Sequence, residues 1–144
     1  MNRRAVIAAS GAWLGATALQ TLSSAAAQRP AKLTVYHVRD QVETVVALTP
    51  AAMMKFLSVR RWVRHSPPAI AAALAAIYAA SPAPRSESTD DVDARWGLVF
   101  AYPNGREFSV FCDSFASAAI VDGAPRTFRK HTLAAWLAAH YGPA

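Results

Sequence analysis

The 144-residue sequence predicts an α+β fold: a small antiparallel sheet of about three to five strands, with a central hairpin over residues 95–113, packed by about three helices. One stretch alternates bulky and light side chains with period two, the mark of a half-buried strand pair. Two alanine-rich stretches carry apolar residues at helical spacing. The lone cysteine, Cys112, allows no internal disulfide, so the chain must hold together by packing.

The hairpin is the organising stretch. Trp96, Leu98, Phe100 and Tyr102 alternate with Gly97, Val99 and Ala101, and Phe108, Val110 and Cys112 alternate with Glu107, Ser109, Phe111 and Asp113. The first set of each arm is expected to face the core and the second to form a lighter face. Between the arms, Pro103-Asn104-Gly105 fits a type I turn closed by a left-handed glycine.

The chain opens with an export address. Arg3 and Arg4 precede an apolar stretch from Ala5 to Leu22, and Ala25-Ala26-Ala27 suits a signal peptidase, so cleavage is predicted after Ala27. An uncleaved anchor is the competing reading, weakened by Gly11, Gly15 and Gln20 within the stretch. Residues 1–27 are therefore read as a signal peptide, residues 28–144 as a single globular domain, and the product as periplasmic or secreted with no stable transmembrane span. Losing Arg3 and Arg4 lowers the net charge from +6 to +4. In that compartment a mildly basic protein meets acidic proteins or anionic envelope components rather than nucleic acid.

Further along, Lys32 to Val38 alternates as a strand and Val42 to Leu48 is a weaker strand candidate. Thr49-Pro50 is a cap followed by proline at the first helical position, opening a helix over residues 50–57 with Met53, Phe56 and Leu57 on one side. Ser66-Pro67-Pro68 opens a second, over residues 67–80, where Ile70, Leu74, Ile77 and Tyr78 form a stripe. Residues 85–94 read as an acidic loop without the spacing of a calcium site. A strand is expected over residues 115–121, and Asp122 to Pro125 as a turn. The closing helix over residues 130–141 aligns Leu133, Trp136, Leu137 and Tyr141 on one apolar face.

The residues that suggest function lie in Ser58 to His65. Arg60, Arg61 and Arg64, with the nearby Lys55, surround Trp62, joining bidentate cations to a stacking aromatic. On an ideal helix these arginines do not separate from the apolar residues, so the segment is expected to turn or leave helix. Catalytic signatures such as G-x-S-x-G, H-E-x-x-H, C-x-x-C and a glycine-rich phosphate loop are absent. Neither a metal nor a cofactor is expected. The expected function is non-catalytic binding of an acidic partner by an exported protein, of the inhibitor or immunity type. The alternatives are a membrane-surface protein docked through the same basic residues, or a thiol-dependent enzyme using Cys112 and His131.

Overall fold

The computed structural model describes residues 28–142, so the signal-peptide reading of residues 1–27 lies outside the described residues. In chain order the elements are β1 (Lys32–His37), α1 (Pro50–Met54), β2 (Arg60–Arg64), α2 (Pro67–Ala79), β3 (Pro82–Pro84), a 3-10 turn (Thr89–Asp91), β4 (Trp96–Ala101), β5 (Glu107–Cys112), β6 (Ala118–Val121), β7 (Ala124–Phe128) and α3 (Thr132–Tyr141). The strands form one sheet in the order β2-β1-β4-β5-β6-β7-β3, with each neighbouring pair antiparallel. Seven strands replace the expected three to five. The correction comes from β2, β3 and β7, which the sequence pattern left as turn or connection, while residues 42–48 form no strand.

Local chemistry explains most of these elements. Across the β4–β5 turn, the Tyr102 N–H donates to the Arg106 carbonyl (2.9 Å) and the Gly105 N–H to the Tyr102 carbonyl (3.0 Å), with Gly105 at φ 84°. That is a three-residue loop with a left-handed closing glycine. Asp122 and Gly123 have φ of 49° and 83°, the paired positive values of the tight two-residue turn whose twist matches β6 and β7. Thr49 Oγ1 accepts from the Ala52 N–H (3.2 Å) and caps α1. Ser66 makes no such bond at α2, because proline at the next two positions removes a donor that a cap would satisfy. α1 also ends earlier than expected, at Met54, which leaves Leu57 fully exposed rather than on a helical stripe.

Hydrophobic packing occupies both faces of the sheet. Leu33, Val35, Trp96, Leu98, Phe100, Val110 and Cys112 face α2 and α3, where Ile70, Ala73, Ile77, Leu133, Leu137 and Tyr141 close the main core. Val38, Leu48, Met53, Ala94 and Phe111 form a second cluster on the opposite face, beneath α1. Phe111 was expected on the lighter face of the hairpin, yet it is buried. Its cross-strand partner is Gly97, and the missing side chain there leaves the room that the Phe111 ring and Met53 occupy. In α3, Leu133, Leu137 and Tyr141 are buried, whereas Trp136 packs at the margin and stays partly exposed.

The two sheet edges differ. Ladder bonds of an antiparallel pair alternate between the strand's two sides. The Arg129 N–H bonds to the Ser81 carbonyl (3.1 Å) in the β3–β7 register, so the next inward position is Ala83, and Pro82 and Pro84 face outward. Proline lacks the N–H that another strand would use, so this edge is blocked. β2, at the other edge, contains no proline.

Candidate functional site

Strand geometry redistributes the basic cluster around Trp62. β2 pairs with β1 in the register Leu33↔Arg64, Val35↔Trp62 and His37↔Arg60. Because successive side chains point to opposite faces, Arg60, Trp62 and Arg64 lie on the helix-bearing face, while Arg61 and Val63 lie on the other with Tyr36 and Thr34. Lys55 follows α1, whose Met53 belongs to the opposite-face cluster. The five expected site residues are thus divided between two faces of one sheet edge.

On the helix-bearing face the strand meets the end of α3 in an aromatic cluster. Trp62 tilts against Tyr141 with ring centroids 5.6 Å apart, and the Arg64 guanidinium lies 5.6 Å over the same ring. Trp136 stacks on His140 at 4.3 Å and meets Tyr141 edge-on at 5.9 Å. The Nδ1–H of His140 donates to the Trp136 carbonyl (2.8 Å), which fixes the ring against its neighbour. Burial pushes the Tyr141 phenol up, opposed by the charge and hydrogen bond of Arg64. Trp136 and His140 were not among the expected site residues. The signal that could have placed them was their four-residue spacing, which puts both on one flank of a helix.

The cations of this edge are free of carboxylates. Among the described residues the ion pairs are Arg85 with Glu87 and Arg95 with Asp93, so Lys55, Arg60, Arg61 and Arg64 have none. Arg64 Nη1 donates instead to the Val63 carbonyl (3.3 Å). A shallow depression of about 280 Å³ is lined by Arg60, Arg61 and Trp62. A second, of about 250 Å³, lies near the hairpin turn between Leu74, Tyr78, Tyr102, Arg106 and Phe108, with Glu107 and Asp122 beside it. The second holds both signs of charge; the first is lined by two arginines and a tryptophan.

No protein-family model matches this chain, and no similar curated protein or solved structure was found. The chemistry of the site therefore rests on its own residues.

Cys112, Asp113 and His131 show no catalytic arrangement. Cys112 is fully buried in the main core, and burial, followed by the charge of Asp113, pushes its thiol far above the ordinary range. A thiolate is the nucleophilic form, so this sulfur is held in its inert state. Asp113 turns its carboxylate to the Ser117 N–H (2.9 Å), the Ser117 hydroxyl (2.8 Å) and the Ala118 N–H (3.2 Å), where it shapes the turn into β6. His131 is exposed, beside the start of α3. No group of three His, Cys, Asp or Glu side chains among the described residues is placed to hold a metal.

His37 is the buried titratable group that the sequence pattern did not single out. It is only 7% exposed and stacks on Trp96 at 3.7 Å and 9°, while its Nδ1 has no hydrogen-bond partner. Desolvation lowers its pKa below the ordinary value, with Asp40 opposing and Arg60 and Arg39 reinforcing the shift. The unfolded chain then binds more protons than the folded one, so stability rises with pH through this window. The contribution is present above about pH 6.5 and is lost as pH falls through the folded value. Thermal unfolding of wild type and His37→Phe between pH 7.5 and 5.5 isolates the effect, since phenylalanine keeps the stack but not the proton. Wild type is expected to lose melting temperature on acidification and the variant to lose less; equal slopes would exclude His37 as the source.

Proposed function

We propose that this is an exported, non-catalytic binding protein that docks an acidic protein partner through Arg60, Arg61, Trp62 and Arg64. The observation that carries the reading is the set of guanidinium groups without carboxylates around Trp62 at an open sheet edge. Guanidinium groups left to water are available for bidentate contact with a partner's carboxylates. Trp62 and Trp136, both partly exposed beside the buried Tyr141, supply the rigid aromatic surface on which binding energy concentrates. Lys55 contributes at most at the rim, because it follows a helix on the opposite face.

The test is affinity capture from the cell envelope with the protein in the form the cell accumulates, beside an Arg60→Glu, Arg61→Glu, Arg64→Glu variant. The expected result is a stoichiometric acidic protein retained by wild type and lost with the variant, with the purified pair reassociating in calorimetry. Salt-sensitive retention on anionic vesicles with no protein partner would replace this reading with membrane-surface docking. Mass spectrometry of the accumulated protein is expected to find Gln28 as its first residue. Rapid labelling of native Cys112 at neutral pH would revive the thiol-enzyme alternative; the expected outcome is labelling only after denaturation.

A further inference from the structure

The open edge of β2 exposes backbone as well as side chains. The Val38 N–H donates to the Arg95 carbonyl (2.9 Å), in line with the β1–β4 register. Even-numbered residues of β1 therefore bond to β4, and Leu33, Val35 and His37 turn their backbone groups toward Arg64, Trp62 and Arg60. This alternation turns the N–H and C=O groups of Arg61 and Val63 outward. The Val63 carbonyl accepts only its neighbour's guanidinium, and Arg61 has no backbone partner beyond the strand among the described residues. Two outward donor–acceptor positions thus stand two residues apart, as a pairing strand requires.

The structure assigns this edge to β-strand addition: we propose that an extended, acidic segment of a partner protein pairs with β2 through Arg61 and Val63 and becomes the eighth strand. This rests on the binding function proposed above and supplies its mode. Charge selects the occupant. Antiparallel pairing of β2 with β2 of a second copy through Arg61 and Val63 would set Arg60 of each copy opposite Arg64 of the other, and like charges directly opposite oppose pairing. Among residues 1–27 the charged side chains are Arg3 and Arg4, so that segment has the wrong sign as well. An acidic strand would instead place carboxylates beside Arg60 and Arg64 on one face and Arg61 on the other, with Trp62 packing between. The opposite edge offers no equivalent, because Pro82 and Pro84 remove the outward donors. This is main-chain recognition with side chains setting specificity.

The probe is an eight-residue peptide repeating Glu-Glu-Val-Val, which carries carboxylates on both faces of an extended strand, blocked at both ends and titrated against the full protein by calorimetry. Two further peptides carry N-methyl groups on one or the other alternate set of residues, and a fourth has lysine in place of glutamate. Binding of the parent peptide, a tenfold or greater loss with one N-methylated set but not the other, and no binding of the lysine peptide are expected. Arg61→Glu should weaken the parent peptide by tenfold or more while leaving the melting temperature within a few degrees, since Arg61 is exposed. If the arginine variant loses binding but both N-methylated sets bind like the parent, strand addition is overturned while the arginine patch stands. No binding of the glutamate peptide at millimolar concentration, or self-association of the protein blocked by Arg61→Glu, overturns strand addition outright; envelope capture then judges the binding function separately.

Discussion

Replacing Phe100 with alanine is expected to destabilise the protein by about 3–5 kcal/mol, the largest effect of any single core truncation considered. Phe100 is fully buried at the centre of the main core, where its ring meets Phe108 at 5.8 Å and β4 pairs on both sides. Neighbours held by two ladders cannot move in to fill the space, so a cavity cost adds to the lost burial. For a chain of this size the melting temperature should fall by about 10–25 °C. Trp136→Ala is the informative contrast. Its ring lies at the margin of the core, so about 1–2 kcal/mol is expected although more atoms are removed. Chemical denaturation of both variants checks the pair, and a larger loss at Trp136 than at Phe100 would refute this account of the core.

Arg95→Met is expected to cost about 2–4 kcal/mol and to release a defined segment. The Arg95 side chain is buried just before β4, and its guanidinium holds one strand-less stretch together. Nε donates to Asp93 (2.8 Å), Nη1 to the carbonyls of Val42 (2.8 Å) and Arg39 (3.4 Å), and Nη2 to the Thr44 hydroxyl (3.1 Å). Asp93 in turn accepts from the Leu48 N–H (2.8 Å). Asp93 remains more than a third exposed, so the ion pair itself contributes little and the carbonyl bonds dominate. Amide exchange should accelerate over residues 39–48 more than in β5 or β6. Arg95→Lys should not restore protection, because a compact ammonium lacks the spread by which the guanidinium fork reaches Asp93, Arg39, Val42 and Thr44 together. Uniform acceleration across the sheet would show instead that Arg95 acts globally.

The sequence made the hairpin legible because its period-two pattern agreed with its turn chemistry over six residues on each arm. It misread β2 because three arginines mask alternation, and only pairing with β1 gives RRWVR its extended form. The strand β7 was hidden by Pro125, a residue that usually argues against an inner strand. Its missing N–H is harmless here: Pro125 turns its nitrogen toward the β3 side, beyond Pro84, where β3 has ended. The Asp122-Gly123 turn was the available clue, since that dipeptide is among the strongest short-range hairpin signals. Residues 42–48 form no ladder: Arg95 holds the Val42 carbonyl and the Thr44 hydroxyl, and Leu48 bonds to Asp93 and to the Ala94 N–H. For the candidate site, residue type was readable and placement was not. Arginine and tryptophan announced a contact surface, but only the strand register divides them between faces and brings Tyr141 and Trp136 alongside.

The place of β1 between β2 and β4 has a consequence for synthesis. Its neighbour on one side, β4, lies far along the chain, with His37 paired to Trp96 and Lys32 to Ala101. At about 5–20 residues per second, β1 waits on the order of 3–12 s before its partner emerges. In that interval Leu33, Val35 and Val38 have no sheet to enter, whereas β4 to β7 can close as successive local hairpins as soon as they appear. The meander β4 to β7 closes through local contacts, whereas β1 joins it across a long connection. The strand edge assigned to a partner therefore belongs to the half of the molecule that depends on non-local pairing.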